Sequence, residues 1–235
     1  MSDTLIATAP NNIRVSDGKN GFVTPGLIDM HVHMYEPAAF TLALSHGVTH
    51  VRIMNGVPAQ LVWRDKIAAG DLIGSSASVS SHIISAYDDA PLHLTVHTAD
   101  KAKAAVQALH SQGYDLIKVY GNVSGEVLTA LVEEGTNLNM PLAKHGPHGS
   151  GDVALSFLTG LQSFEHVEDI YQGPLNYQFA PKRLVSIAEE IKQTRVPITP
   201  TLNIYDQLTQ LSDKKQTFLD SFSTEYTSDI IALEA

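Results

Sequence analysis

The chain has 235 residues and a formal net charge of −10, because 25 acidic side chains outnumber 15 basic ones. This acidic balance argues against nucleic acid or an anionic membrane as a partner. With 43% hydrophobic and 17% charged residues, the composition is that of a soluble globular protein with a sizeable core. Cysteine is absent, which excludes disulfides, thiolate metal sites and cysteine nucleophiles.

Histidine is the residue type that stands out, with 11 copies. Imidazole is the commonest metal ligand, so the placement of the histidines is informative. The segment from Met1 to Thr4 is not a basic stretch leading into an apolar run, and the sequence has no apolar stretch of about 18 residues. We therefore expect a cytoplasmic protein without a nucleic-acid or membrane partner.

Short apolar runs alternate with helical patterns along most of the chain. The runs predict seven strands, over Leu27 to His33, Val48 to Met54, Ser75 to Ser80, Asp115 to Tyr120, Met140 to His145, Leu161 to His166 and Val196 to Leu202. This alternation indicates an α/β fold, either a (β/α)₈ barrel or an open doubly wound sheet. Glycine-rich phosphate-binding motifs, which would favour the open sheet, are absent.

Helix signals mark two of the connections between strands clearly. The two ends of the chain do not follow the alternation of strands and helices. One predicted helix begins after Thr98 and stops at Gly113, and another begins at Pro181 and ends at Arg195. Residues 1–24 look like a lead-in or the remnant of another domain, ahead of the repeating part over 25–235. The segment from Leu208 to Ala235 is helical in pattern and holds no eighth strand.

The strongest local signal is the segment P-G-L-I-D-M-H-V-H at the first predicted strand. Side chains alternate along a strand, so Asp29, His31 and His33 share one face with Leu27. Two histidines in this arrangement at the carboxyl end of a barrel strand would place two nitrogen ligands side by side, where such barrels build active sites. They could equally be two polar residues at a strand end, and Asp29 is expected to be a buried hydrogen-bonding residue.

Three further polar residues lie on or at the end of predicted strands. Lys118 shares a face with Tyr120, while His145 and His166 each end a strand. His33 and Lys118 are 85 residues apart, or about three β–α units of roughly 30 residues, and the next two spacings of 27 and 21 residues are one unit each. These residues fall on strands one, four, five and six, and a closed barrel would bring them to one pocket.

Six segments spread through most of the chain follow one family's pattern: Pro25–His33, Gly47–Arg52, Ile117–Val119, Ala143–Gly149, Ser163–His166 and Pro200–Leu202. They resemble the amidohydrolase superfamily of metal-dependent hydrolases, in particular its imidazolonepropionase and Xaa-Pro dipeptidase-like branch. The resemblance implies a TIM-like (β/α)₈ barrel. It also implies hydrolysis of a C–N bond in a small-molecule substrate, which would be an amide, a cyclic amide or a dipeptide-like compound. Residues 1–24 would be what remains of an N-terminal β-sandwich.

The resemblance also implies a binuclear metal site. His31 and His33 would bind one divalent ion, usually zinc, and His145 and His166 a second. Lys118 would be carboxylated by CO₂ and bridge the two ions, which fits the need of two dications for an anionic oxygen ligand. A bridging hydroxide would then attack the polarised substrate carbonyl.

Three residues are candidates for contacts with the substrate. His148 follows His145 on a loop that should line the mouth of the pocket, and Tyr120 and Tyr205 lie near predicted strand ends. Each could instead be a structural residue. The remaining histidines are expected to be structural or on the surface.

The sequence departs from the family pattern in one respect. The family places an aspartate at the end of strand eight, where it binds metal and transfers a proton, and Asp206 is no obvious substitute. The chain thus resembles a C-terminally truncated member with an incomplete barrel, whose unpaired strand edges would favour association into homo-oligomers. The alternative function is a non-catalytic metal-binding or interaction domain.

Overall fold

The computed structural model describes residues 10, 12–14, 16–120, 122–147, 153–155 and 158–221. Its strands are β1 (Leu27–Val32), β2 (Val48–Ile53), β3 (Ser76–Ser85), β4 (His93–Thr95), β5 (Leu116–Val119), β6 (Leu142–His145), β7 (Ser163–Glu165) and β8 (Ile198–Thr199). Its helices are α1 (Pro37–Ser45), α2 (Pro58–Ala69), α3 (Ala99–Ser111), α4 (Gly125–Asn137), α5 (Asp169–Gln172), α6 (Pro181–Thr194), α7 (Leu202–Lys214) and α8 (Gln216–Leu219). None of these helices is both long and apolar enough to cross a membrane.

All strand pairs are parallel, in the order β1-β2-β3-β5-β6-β7-β8, with β4 paired to the end of β3. All seven predicted strands are present, but β3 continues to Ser85 and the seventh is only Ile198–Thr199, because Leu202 already begins α7. Strand β4 was missed because three residues are too short to show a periodic pattern. Arg52 on β2 donates to Ser163 on β7 and to Thr199 on β8. The sheet is therefore curled into a nearly closed barrel, as expected for the TIM-like fold.

The two helices predicted in detail are confirmed, with their end signals. The Thr98 hydroxyl accepts a hydrogen bond from the backbone N–H of Lys101 and so caps α3, and Gly113 follows that helix with φ of 87°. Pro181 lies in the first turn of α6, and Arg195 ends it in the left-handed conformation. Each helix buries an apolar stripe: Ala102, Val106 and Leu109 in α3, and Ile187 and Ile191 in α6.

The main core lies between the sheet and the helices. Val51, Ile53 and Phe164 from the strands are fully buried there, together with Phe40 of α1 and Leu131 of α4. A separate small cluster contains Met54, Leu116 and Ala143. Leu116 shares its strand face with Lys118, so this second cluster lies on the inner side of the barrel, beneath the polar residues at the strand ends.

The edge strand β1 is exposed over its first four residues, Leu27 to Met30. In the described part of the chain β1 pairs with β2 alone, and β8 with β7 alone. Leu27 is 63% exposed and Ile28 is 59% exposed, so this unpaired edge carries apolar surface. The prediction that Asp29 is buried is wrong, because no strand among the described residues covers this side of β1. Its predicted hydrogen bonding is present, since its carboxylate accepts from the backbone N–H of His31 at 3.1 Å.

The two ends of the chain are described only in part. Residues 10, 12–14 and 16–24 contain no helix or strand, and their assignment to a β-sandwich remnant stays a prediction. The helical pattern expected from Leu208 onward is confirmed as far as Leu219, in α7 and α8.

Candidate active site

The five predicted metal ligands lie at one end of the barrel. His31 is in β1 and His33 follows it, Lys118 is in β5, His145 ends β6, and His166 follows β7. Parallel strands bring their carboxyl ends to the same edge of the sheet, which is where (β/α) barrels build active sites. The predicted clustering of these residues is thus present in the structure.

The four histidines form one continuous group. The ring centroids of His31 and His33 are 5.3 Å apart, those of His31 and His166 are 4.4 Å apart, and those of His166 and His145 are 4.6 Å apart. In the described ranges no three His, Asp or Glu side chains are arranged to hold a metal ion. Two of these histidines face carboxylates instead: His31 faces Glu165, and His145 faces Asp169.

Lys118 is a buried amine without a neutralising contact. Its residue is 1% exposed, and its Nζ has no hydrogen-bond partner in the part of the chain that the structure describes. Burial is the main cause that lowers the pKa of Lys118 to about 8; Arg52 lowers it further, while Glu165 opposes the shift. A substantial fraction of neutral, nucleophilic amine is therefore present near neutral pH.

Three histidines of the cluster, His31, His33 and His166, are held in the neutral form. Burial lowers the pKa of His166 to about 3, with Lys118 as a second cause. Partial loss of hydration lowers the pKa of His33 to about 4, and the pKa of His31 is lowered as well. Neutral imidazole is the form that binds metal ions, so these residues are available as ligands at neutral pH.

A buried ion pair that sequence reasoning missed lies beside His31. Glu165 accepts from Arg52 at 2.6 Å through Oε1 and contacts His31 Nδ1 at 2.7 Å through Oε2. Burial raises the pKa of Glu165, but the His31 hydrogen bond and the Lys118 and Arg52 cations outweigh it and lower the pKa overall. Glu165 is therefore a carboxylate at neutral pH.

Arg52 joins both edges of the sheet through this pair. Its Nε donates to the Met30 carbonyl of β1 at 2.8 Å, and its Nη1 donates to Ser163 of β7 at 2.9 Å. Its Nη2 also reaches Thr199 of β8 at 3.1 Å. A charged residue in the apolar run of β2 was the sequence signal for this role, but its partner could not be identified without the curvature of the sheet.

A second buried acidic residue lies beside His145. Asp169, in the first turn of α5, has a carboxylate oxygen 3.2 Å from His145 Nε2. Burial raises the pKa of Asp169 to about 6, with the neighbouring Glu168 as a second cause. Lys144 anchors the backbone here by donating to the carbonyls of His145 and Gly146, both at 3.1 Å. Nothing in the local pattern had singled out Asp169 or Lys144.

Two of the three predicted substrate contacts are at the site, and the third is outside the described residues. Tyr120 stacks on His145, with ring centroids 4.1 Å apart and planes at 16°. Tyr205 of α7 hydrogen-bonds Glu168, and burial is the main cause that raises its pKa. His148 lies outside the described ranges, so its role stays a prediction.

A cavity of about 290 Å³ opens between β1 and the β8–α7 connection. Its lining includes His31, Thr199 and Thr201, and Thr201 contacts His166 at 2.8 Å. The histidine cluster is therefore accessible from the side on which the sheet stays open.

No protein-family model matches the chain, and no curated protein matches it. Solved structures do match. A bottromycin amidohydrolase superposes with a TM-score of 0.58 at 23% identity, over 72% of this chain and 38% of that chain. A Xaa-Pro dipeptidase with bound methionine gives 0.55 at 19% identity, over 83% and 57% of the two chains. The ochratoxinase of A. niger gives 0.60 at 18% identity, over 89% and 58%.

The chain spans about half the length of these structures. At 23% identity and below, the matches establish the fold and not the chemistry. The (β/α) barrel fold also agrees with three features of this structure: its parallel strands, the curvature of its sheet and the histidine cluster at the carboxyl ends of the strands. The chain has the (β/α) barrel fold of solved amidohydrolases.

Proposed function

We propose that this chain supplies the metal-binding part of a hydrolase that cleaves a C–N bond in an amide, a cyclic amide or a dipeptide-like substrate. The observation that carries the proposal is Lys118, a buried amine without a hydrogen-bond partner among the described residues, next to neutral histidines. A buried lysine in such a position is costly unless it is neutralised or modified. Carboxylation would replace the cation by an anionic ligand, whose charge bound metal ions would neutralise.

The chemistry of the donor set, four histidines around a buried lysine, supports a pair of divalent ions as ligands of the site, with zinc as the first candidate. His31 and His33 would hold one ion, His145 and His166 the other, and carboxylated Lys118 would bridge them. Neutral imidazole and carbamate oxygen suit zinc as well as other divalent metals. When bound, the ions would activate water and polarise the scissile carbonyl.

The carboxylation of Lys118 is chemically balanced by CO₂ alone. The neutral Nζ attacks the carbon of CO₂, a new N–C bond forms, and one N–H proton is released to solvent. The pKa of about 8 makes the required neutral amine available, and the product carries one negative charge close to Arg52.

The protein groups around the cluster would bind and orient the substrate. Tyr120, stacked on His145, and Tyr205, bonded to Glu168, are at the open end of the barrel. The similar structures include an amidohydrolase named for bottromycin and a Xaa-Pro dipeptidase. These names support an amide or dipeptide-like substrate, with His148 as a further contact.

A metal-binding barrel without turnover is the second candidate. The resemblance places a proton-transferring aspartate after the eighth strand of the barrel. Because β4 lies off the barrel path, β8 is the seventh barrel strand, and the described residues contain no strand after it. Metal binding and catalysis are therefore measured separately. Ions bound without hydrolysis of amide or Xaa-Pro dipeptide substrates would favour this candidate.

The test is carboxylation and metal content of the purified chain, grown and handled with ¹³C-bicarbonate. We expect one carbamate carbon signal by NMR and about two ions per chain by elemental analysis, both lost in Lys118→Ala. Lys103→Ala is the control, because Lys103 is an exposed lysine of helix α3 that pairs with Glu133 and belongs to no part of the proposed site. A wild-type chain without carbamate and without metal, or an unchanged Lys118→Ala, would refute the proposal.

A further inference from the structure

The contact between Glu165 and His31 determines which ring nitrogen of His31 is available. Glu165 Oε2 lies 2.7 Å from His31 Nδ1, and the two side chains are 0% and 6% exposed. An ionised carboxylate accepts hydrogen bonds and donates none. A hydrogen bond across this distance therefore requires the proton on Nδ1, which leaves the lone pair of the neutral ring on Nε2.

Glu165 is itself held in place from its other oxygen. Oε1 accepts from Arg52 Nη2 at 2.6 Å and from the Ser163 hydroxyl. Arg52 also donates to the carbonyl of Met30, the residue before His31. The guanidinium thus fixes both the carboxylate and the backbone that carries the imidazole.

We propose that Glu165, clamped by Arg52, is a positioning residue that holds His31 as the Nδ1–H tautomer and so presents Nε2 as its metal-binding nitrogen. The inference rests on the proposed function, because it gives His31 its purpose as a ligand. Metal-binding histidines commonly donate their second ring N–H to a carboxylate, and loss of that partner typically lowers metal affinity about 10- to 100-fold.

The variant Glu165→Gln makes a sharp test because it preserves the shape of the side chain. Arg52 and Ser163 both donate toward Oε1, so the glutamine carbonyl oxygen belongs at that position. Its NH₂ group then faces His31 Nδ1, which must accept. The proton of the ring moves to Nε2, and the nitrogen that should bind metal is blocked.

The first readout is the tautomer of His31 in the metal-free protein, from ¹⁵N NMR of the imidazole nitrogens. We expect Nδ1–H in the wild type and Nε2–H in Glu165→Gln. The second readout is zinc affinity, which should fall about 10- to 100-fold in the variant. The wild-type tautomer can be measured without any variant, so the inference stays testable if Glu165→Gln does not fold.

Asp88→Asn is the matched control, since Asp88 contacts His97 at 2.7 Å in an exposed histidine–carboxylate pair. It should change neither the His31 tautomer nor zinc affinity. An Nε2–H tautomer in the wild type, or an unchanged tautomer and affinity in Glu165→Gln, would overturn the inference. A wild-type chain that binds no metal would refute the proposed function instead, while the tautomer measurement still decides the role of Glu165.

Discussion

Replacing Arg52 by methionine should destabilise the protein strongly, because it leaves a buried carboxylate without its cation. Arg52 is 3% exposed, and the Glu165 side chain is fully buried. Removing one partner of a buried ion pair typically costs about 3–5 kcal/mol, since the remaining charge stays out of water. The Met30 carbonyl and Ser163 also lose their Arg52 hydrogen bonds, which places the expected cost within that range rather than below it.

The assay is urea denaturation followed by circular dichroism at pH 7. With a slope of about 2–3 kcal/mol per molar urea, the expected cost corresponds to a midpoint lower by about 1–2.5 M. Arg64→Met is the matched control: Arg64 pairs with Asp115 at 2.8 Å, but that carboxylate is 39% exposed. A partly exposed pair of this kind contributes about 0–1 kcal/mol.

Two further measurements separate the lost ion pair from lost packing. The double variant Arg52→Met, Glu165→Met has no lone buried charge and should be more stable than Arg52→Met alone. The cost of Arg52→Met should also shrink as pH falls, because Glu165 without its cation can be neutralised by protonation. A cost below about 1 kcal/mol, or one equal to that of Arg64→Met, would contradict this account of the barrel interior.

Three other predictions test the site, a helix and the open edge. The free energy of unfolding of the metal-free protein should fall by about 2 kcal/mol between pH 6.5 and pH 5 through His166 alone. The pKa of His166 is about 3 in the folded protein and higher in the unfolded chain, so over this range the unfolded chain binds the extra proton. Thermal unfolding of His166→Gln should show this pH dependence reduced, and an unchanged slope would argue against the burial of His166. Thr98→Ala should destabilise the protein by about 1 kcal/mol through loss of the α3 cap, whereas equal midpoints in urea would mean that the cap contributes nothing. Ile28→Lys places a charge on the exposed edge strand β1 and should raise the monomer fraction in light scattering; unchanged association would locate the contact elsewhere.

The strand–helix alternation and the metal-ligand candidates could be predicted because they depend on local patterns. Along a strand that ends in histidine, the side chains alternate between two faces with a period of two residues. A helix such as α3 carries its cap and its stop signal within 16 residues of Thr98. Parallel strands then bring their carboxyl ends to one edge, so the sequence alone places His31, Lys118, His145 and His166 together. Short elements such as β4 have too few residues for a period to appear.

What could not be predicted depends on contacts between distant parts of the chain. Arg52 and Glu165 are 113 residues apart, and only the curvature of the sheet brings β2 against β7. The exposure of Asp29 likewise follows from the open side of β1, which no local pattern records. Local periodicity determines which residues point inward at the strand ends, whereas closure of the barrel decides which of them touch and which charges are neutralised.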